Sequence, residues 1–264
     1  MNSNLPKTNS TLERALILLE KLASGKGGLG IGELSEATQL PKSTTHRILE
    51  TLQKYKFVMQ EPSTEKYFIG LKAIEIGMSG LHNTDLVEAA IPHMQDLVAH
   101  TEQTSFLAVY NEGETICIYK VEGTSSVITN ANLGTRHPVH CTGLGKAILA
   151  FYSLETVDKI ISEHGLQRFT PTTITDHQQF LQELSEIRKK GVAKNYEEFD
   201  EGMSSFAAPI FDYTGRVVAA VSVAGPTARI FEMQDEIEAR LIEKSSLISK
   251  RLGFVPSMRS IYLS

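Results

Sequence analysis

Two short apolar-periodic segments split by a proline, followed at once by two β-prone runs, constrain the first quarter of this chain more than anything else in it. The first segment, Ile31-Gly-Glu-Leu-Ser-Glu-Ala37, sets Ile31, Leu34 and Ala37 three apart and makes one apolar helical face. After a break at Gln39-Leu-Pro41 comes Lys42-Ser-Thr-Thr-His-Arg-Ile-Leu-Glu-Thr-Leu52, with Ile48, Leu49 and Leu52 on one side. Pro41 suits an opening position, because the amide it lacks would have no helical partner there. Upstream, Leu12, Ala15, Leu16, Leu19 and Leu22 recur at helical spacing and supply a first helix to pack behind the pair. Downstream, Phe57-Val-Met-Gln60 and Lys66-Tyr-Phe-Ile69 flank Glu61-Pro-Ser-Thr-Glu65, which reads as a hairpin and hence a wing. The order predicts a winged helix-turn-helix; a generic three-helix domain with a hairpin is the alternative.

The opening turns of the second helix are crowded with hydrogen-bond donors. In a helix-turn-helix the N-terminal residues of that helix meet base edges and phosphates, so donors are what the position requires. Lys42, Ser43, Thr44, His46 and Arg47 are therefore the candidate DNA-contacting residues, joined by Lys66 at the wing. The net charge of −5 looks wrong for a DNA binder until it is divided. Residues 1–70 hold nine Lys/Arg against seven Asp/Glu, +2, and the remainder holds 17 against 24, −7. Attraction to phosphate follows local charge, so a mildly basic head on an acidic body remains compatible with binding, at modest affinity per head. Modest affinity per head favours an oligomer.

At 264 residues the chain has room for two domains. Its 41% apolar and 22% charged residues are those of a soluble globular protein, and no apolar stretch is long enough to cross a bilayer. The start, Met1-Asn-Ser-Asn-Leu-Pro-Lys7, lacks the apolar core of a signal peptide, so a cytoplasmic protein without membrane partners is expected. Cys117 and Cys141 make no disulfide framework and imply no redox role. Residues 71–83 read as a linker helix with Leu71, Ile74, Met78 and Leu81 on one face. Leaving that stripe in water would be costly, which hints at burial against a second subunit. From 85 onward the pattern mixes helices (85–101, 144–152, 154–163, 176–190, 232–252) with strands at 105–110, 115–121, 206–211 and 217–223, and a further short strand at Val127. Hairpins turn at Asn111-Glu-Gly113 and Asp212-Tyr-Thr-Gly215, and hairpins flanked by helices predict an α+β domain around an antiparallel sheet.

Thr142-Gly-Leu-Gly-Lys146 invites comparison with a phosphate loop, but that motif needs glycine at 140 and Ser/Thr at 147, where His140 and Ala147 stand. In a milder form, Thr142 caps a helix and leaves the Gly143 and Leu144 amides directed at a small anion; a plain capped helix is the competing reading. His137, His140 and Cys141 could ligate metal, but a structural site wants four ligands, so pocket wall or core is preferred and no metal or cofactor is expected. Glu197, Glu198, Asp200 and Glu201 read as a solvated acidic loop. No nucleophile elbow, zincin helix or dinucleotide fingerprint is present, so no catalytic residues are assigned and a GAF-like enzyme stays a minor alternative.

Leu12-Glu-Arg-Ala-Leu16, Glu33-Leu34, Leu40-Pro-Lys-Ser-Thr44, Arg47-Ile-Leu49, Lys66-Tyr67, Gly143-Leu-Gly-Lys-Ala147 and Val221-Ser-Val-Ala-Gly-Pro226, taken in order, resemble the IclR family of bacterial transcription regulators. The resemblance runs from about residue 8 to 253 and rests on order and spacing, not on one motif. It implies a winged helix-turn-helix (8–70), a linker helix (71–83), a GAF-like effector-binding and oligomerisation domain (84–254) and a tail (255–264). It also implies a homodimer or homotetramer on a palindromic operator, acting on a catabolic operon as repressor or activator. Residues matching Gly143, Leu144, Asn195, Met203, Ser205 and Ser222 line the family's effector pocket, beside the capping Thr142. Asn195 stands where a relative has aspartate, Ser205 where many have cysteine and Ala224 where serine is frequent. These departures bear on which effector fits; a small carboxylate held by the two amides and the serine hydroxyls is the expectation.

Overall fold

Seven side chains from five elements close the core of the first unit: Leu18, Leu22, Leu34, Ile48, Leu49, Val58 and Tyr67. The computed structural model describes residues 10–25, 27–82, 85–124 and 132–255, and the chain divides into units of residues 1–83 and 84–264. In the first unit α1 (Ser10–Ser24) packs behind α2 (Ile31–Thr38) and α3 (Lys42–Lys54). The turn is made by Gln39, whose left-handed backbone (φ 54°) ends α2, and Pro41 stands at the N-cap of α3. At the head of α2, Gly30 N–H donates to the Glu33 carboxylate at 2.7 Å, satisfying one of the amides a helix start leaves open. The wing is β1 (Val58–Gln60) against β2 (Tyr67–Ile69), with Leu29 adding a third short partner through two backbone hydrogen bonds to Tyr67.

The faces differ from expectation in two places. On α1 it is Leu18 and Leu22 that are buried, with Ala15 and Leu19 packed beside them, while Leu12 and Leu16 lie on the exposed side. Ala37 is exposed as well, so α2 reaches the core through Leu34, with Ile31 partly buried. Helical spacing marks an amphipathic face but not its angular width, and α1 turns its face about one residue further round. α4 (Leu71–His82) follows the wing and carries Leu71, Ile74 and Ile76 at half exposure or more within the chain. The side chains of Met78 and Leu81, the rest of the expected stripe, lie outside the described ones.

The second unit is three layers around one antiparallel sheet of order β5-β4-β3-β8-β7-β6. After α5 (Asp85–Thr101) come β3 (Thr104–Asn111) and β4 (Glu114–Val121), turned through Glu112 and Gly113, both at positive φ (48° and 80°), the geometry of a type I′ hairpin. β5 (Arg136–Pro138) leads to α6 (Gly143–Leu149), α7 (Leu154–His164), α8 (His177–Lys190) and β6 (Ala193–Tyr196). β7 (Met203–Phe211) and β8 (Val217–Pro226) form the long central hairpin, and α9 (Thr227–Glu232) and α10 (Gln234–Arg251) close the chain. One face of the sheet packs Leu107, Phe206, Val221 and Val223 against α5 and α10. The other sets Ala193, Ala207 and Ala220 under α6, α7 and α8, and these small side chains let α6 lie close to the strands.

Two strands go beyond the sequence expectation, β5 and β6, the short edges of the sheet; the expected strand at Val127 falls outside the described residues. The expected helix at 144–152 begins one residue earlier and ends at Leu149; the expected closing helix at 232–252 is α10, and the short α9 before it goes beyond the expectation. No described helix is long and apolar enough to cross a membrane. Leu49 is fully buried where α3 meets the rest of the first core, so Leu49→Ala should cost that unit about 2–5 kcal/mol. Hydrogen exchange under urea should register the loss in residues 10–70 and leave the second unit's protection unchanged.

Candidate functional sites: a donor-rich helix and a polar cavity

α3 presents its opening turns to solvent. Lys42, Ser43, His46 and Arg47 are exposed and Thr44 partly so, whereas Thr45 is fully buried and returns its hydroxyl to the Pro41 carbonyl at 3.2 Å. Lys42 and His46, and Ser43 and Arg47, are each four apart and so stack on one side of the helix. His46 lies 3.5 Å from Glu50, which draws its ring toward the middle of the helix. Lys66, partly buried, sits at the wing's second strand, where its carbonyl accepts from Glu61 N–H and its amide faces the Thr64 hydroxyl.

In the second unit a cavity of about 530 Å³ opens between α6 and the sheet. All seven residues singled out from the sequence line it: Thr142, Gly143, Leu144, Asn195, Met203, Ser205 and Ser222. The strand register explains why. Asn195, Ser205 and Ala224 are direct neighbours on β6, β7 and β8, and Ser222 is two residues along β8 on the same face. All six strands contribute to the wall, including Cys117 of β4, Phe106 of β3 and His137 of β5.

α6 is brought to this wall by its glycines. A Cβ on Gly143 would stand 3.0 Å from Ser205 Oγ, and one on Gly145 would lie 2.2 Å from the Val139 carbonyl oxygen, so a side chain at Gly145 would displace the helix. Thr142 caps the helix by accepting from Gly145 N–H at 3.1 Å. Asn195 is oriented by Glu198, whose N–H donates to Asn195 Oδ1 at 2.9 Å, leaving the amide nitrogen 3.5 Å from Ser205 Oγ. Ser222 is 1% exposed, and among the described residues its hydroxyl has no partner; the same holds for both ring nitrogens of His137.

Behind the cavity lies a charge that sequence patterning does not reveal. Lys146, one turn into α6, is fully buried, and its ammonium donates to Glu198 Oε1 (2.6 Å), the Lys194 carbonyl (2.7 Å) and Glu183 Oε1 (2.9 Å). Three donors meet three acceptors. Glu198 is therefore not part of a solvated loop: it is 5% exposed and folded under α6. Burial pushes its carboxyl above the ordinary range, against the pull of Lys146. Asp200, from the same loop, is exposed, as a surface acid should be, and also lines the cavity. A run of four acids gives no hint of this; the available signal is the lysine inside an apolar helix, Gly143-Leu-Gly-Lys-Ala-Ile-Leu149.

His140 is core: its Nε2 lies 2.9 Å from the Gln167 carbonyl, and burial lowers its pKa. Cys141 is buried, its thiol pushed up to about 12, and Cys117 is raised in the same way, so neither is a ready thiolate. Among the described residues no three His, Cys, Asp or Glu side chains converge as a metal cluster.

Comparison with known proteins adds a family. Residues 78–250 match the model for the bacterial transcriptional regulator IclR C-terminal domain, and residues 11–62 match that for the IclR helix-turn-helix domain. The HTH-type transcriptional repressor AllR of Escherichia coli K12 is 35% identical over 94% of this chain and 92% of its own. The Thermotoga maritima IclR structure superposes with a TM-score of 0.79 at 30% identity, covering 93% of this chain and 99% of that one. An IclR homologue from Microbacterium hydrocarbonoxydans, solved with 4-hydroxybenzoate, shares the fold at a TM-score of 0.84 and 23% identity over 92% of this chain and 98% of its own.

Lys146→Met should destabilise the second unit by about 3–5 kcal/mol, because it strands a buried carboxylate. Glu198 then holds its proton more tightly in the folded state, so stability should fall as pH rises through the carboxyl's raised value, and the loss should be larger at about pH 7 than at about pH 4. Adding Glu198→Gln should recover much of it; denaturant titration at the two pH values measures both effects.

Proposed function

The chain belongs to the IclR family of bacterial transcriptional regulators, and from that premise we propose that it is a sequence-specific repressor of a catabolic operon, controlled by a small organic acid bound in the α6 cavity. Residues 8–70 serve as the DNA-binding domain, 71–83 as the linker, 84–254 as the effector and oligomerisation domain, and 255–264 as a tail. The observation that carries the ligand reading is the cavity's unspent polarity: a fully buried Ser222 hydroxyl without a partner among the described residues, on a wall shared with Gly143, Leu144 and Ser205. An unpaired buried hydroxyl is costly, and a ligand oxygen would relieve it. The relative bound to 4-hydroxybenzoate supports a carboxylate in particular.

On DNA, Lys42, Ser43, Thr44, His46 and Arg47 enter the major groove and Lys66 reaches the backbone from the wing. Two heads of a dimer read the halves of a palindrome about 34 Å apart. Each head is only mildly basic, so correct spacing carries much of the affinity, and an effector that alters the spacing alters occupancy. The exposed Leu71, Ile74 and Ile76 of α4 support burial of the linker in the oligomer.

Arg47→Ala should weaken operator binding by about 1–3 kcal/mol if the guanidinium reads a base, and flatten the salt dependence if it meets phosphate. Unchanged binding in a gel-shift titration would remove Arg47 from the interface. Calorimetric screening of metabolite carboxylates against the full chain should find a binder that shifts operator affinity; binding confined to uncharged aromatics would overturn the organic-acid reading.

A further inference from the structure

The cavity has a second polar region that the carboxylate reading leaves unused. His137 projects from edge strand β5, where it pairs with Thr115 of β4 and its carbonyl accepts from the Thr115 hydroxyl at 3.3 Å, and its ring meets Phe199 edge-on at a centroid distance of 4.8 Å. Both ring nitrogens are buried, and among the described residues neither has a hydrogen-bond partner. Burial lowers the imidazole's pKa, against the opposing influence of Asp200 and Glu114, so the ring is neutral near pH 7 and offers one donor and one acceptor. Glu114 is committed to Arg136 at 3.1 Å, which leaves Asp200 as the acid at the cavity wall on this side. An anion brought to His137 would face that carboxylate; a neutral hydrogen-bonding group would not.

We infer that His137 is the specificity-determining residue of the effector site: it hydrogen-bonds a hydroxyl or carbonyl on a monocarboxylate whose acid end lies at Gly143 and Leu144. Plain monocarboxylates leave the ring unpaired, and dicarboxylates meet Asp200. The assignment rests on the organic-acid reading above. It goes further by fixing the second functional group of the ligand, its charge, and the side chain that reads it.

The test is calorimetry on the full chain with matched acids: butyrate, 4-hydroxybutyrate and succinate, and their six-carbon counterparts hexanoate, 6-hydroxyhexanoate and adipate. In at least one series the hydroxy acid should bind about tenfold more tightly than the plain acid, the value of one well-made buried hydrogen bond, and the diacid more weakly than the hydroxy acid. His137→Phe, which keeps the packing on Phe199, should abolish that preference, bringing the hydroxy-acid to plain-acid affinity ratio to about one. His137→Gln should restore part of it, and Asp200→Asn should raise diacid affinity. A preference that survives in His137→Phe, or equal affinities for plain and hydroxy acids in the wild-type protein, would overturn the assignment alone. Failure of all six acids to bind would overturn the assignment; failure of the whole metabolite-carboxylate screen would overturn the organic-acid reading as well.

Discussion

A lysine ammonium with no access to water organises the centre of the second unit. Burying an ion is tolerated only when its hydrogen-bonding capacity is filled by fixed partners, and Lys146 finds three at 2.6–2.9 Å. Those partners come from α8, from β6 and from the loop that follows β6, so one side chain locates α6 against all of them. Glu198 is bound at its carboxylate by Lys146 and at its amide by Asn195, which carries the restraint directly to the cavity wall. The ion pair is thus a positioning device, and its energetic value lies less in net stability than in the single arrangement it permits.

Small residues complete that arrangement. Gly143 and Gly145 bring α6 close to Ser205 and to Val139, and Ala193, Ala207 and Ala220 lower the floor beneath it. Were these positions larger, the helix would ride up and the amides of Gly143 and Leu144 would leave the cavity. Among the described residues, two polar side chains of that wall have buried atoms without a hydrogen-bond partner: Ser222 on the floor and His137 at the edge.

How much of this is legible from the residues alone varies with the kind of signal. The winged helix-turn-helix follows from periodicity, a proline and a hairpin, because those are local; even so, spacing does not say that Leu18 turns inward in place of Leu12 and Leu16. β5 and β6 escape notice because three or four residues carry too little alternation, and their strand character comes from pairing with β4 and β7. α9 escapes notice because its six residues span less than two helical turns. The cavity residues, from four separate stretches, are gathered through family resemblance; only the Thr142 cap and the amides after it can be argued from chemistry. Lys146 and Glu198 are hidden because charge usually reads as surface, and the groups that hold the lysine inside lie 37 to 52 residues away.

A wall assembled from all six strands has a mechanical meaning. A pocket set in one loop senses only that loop, but here the width of the chamber is a function of the curl of the whole sheet, from His137 on one edge strand to Asn195 on the other. A molecule lodged inside therefore acts as a spacer across the sheet and resists its flexing. Because α5 and α10 lie on the opposite face, the stiffness of that outer layer becomes tied to occupancy of the inner one.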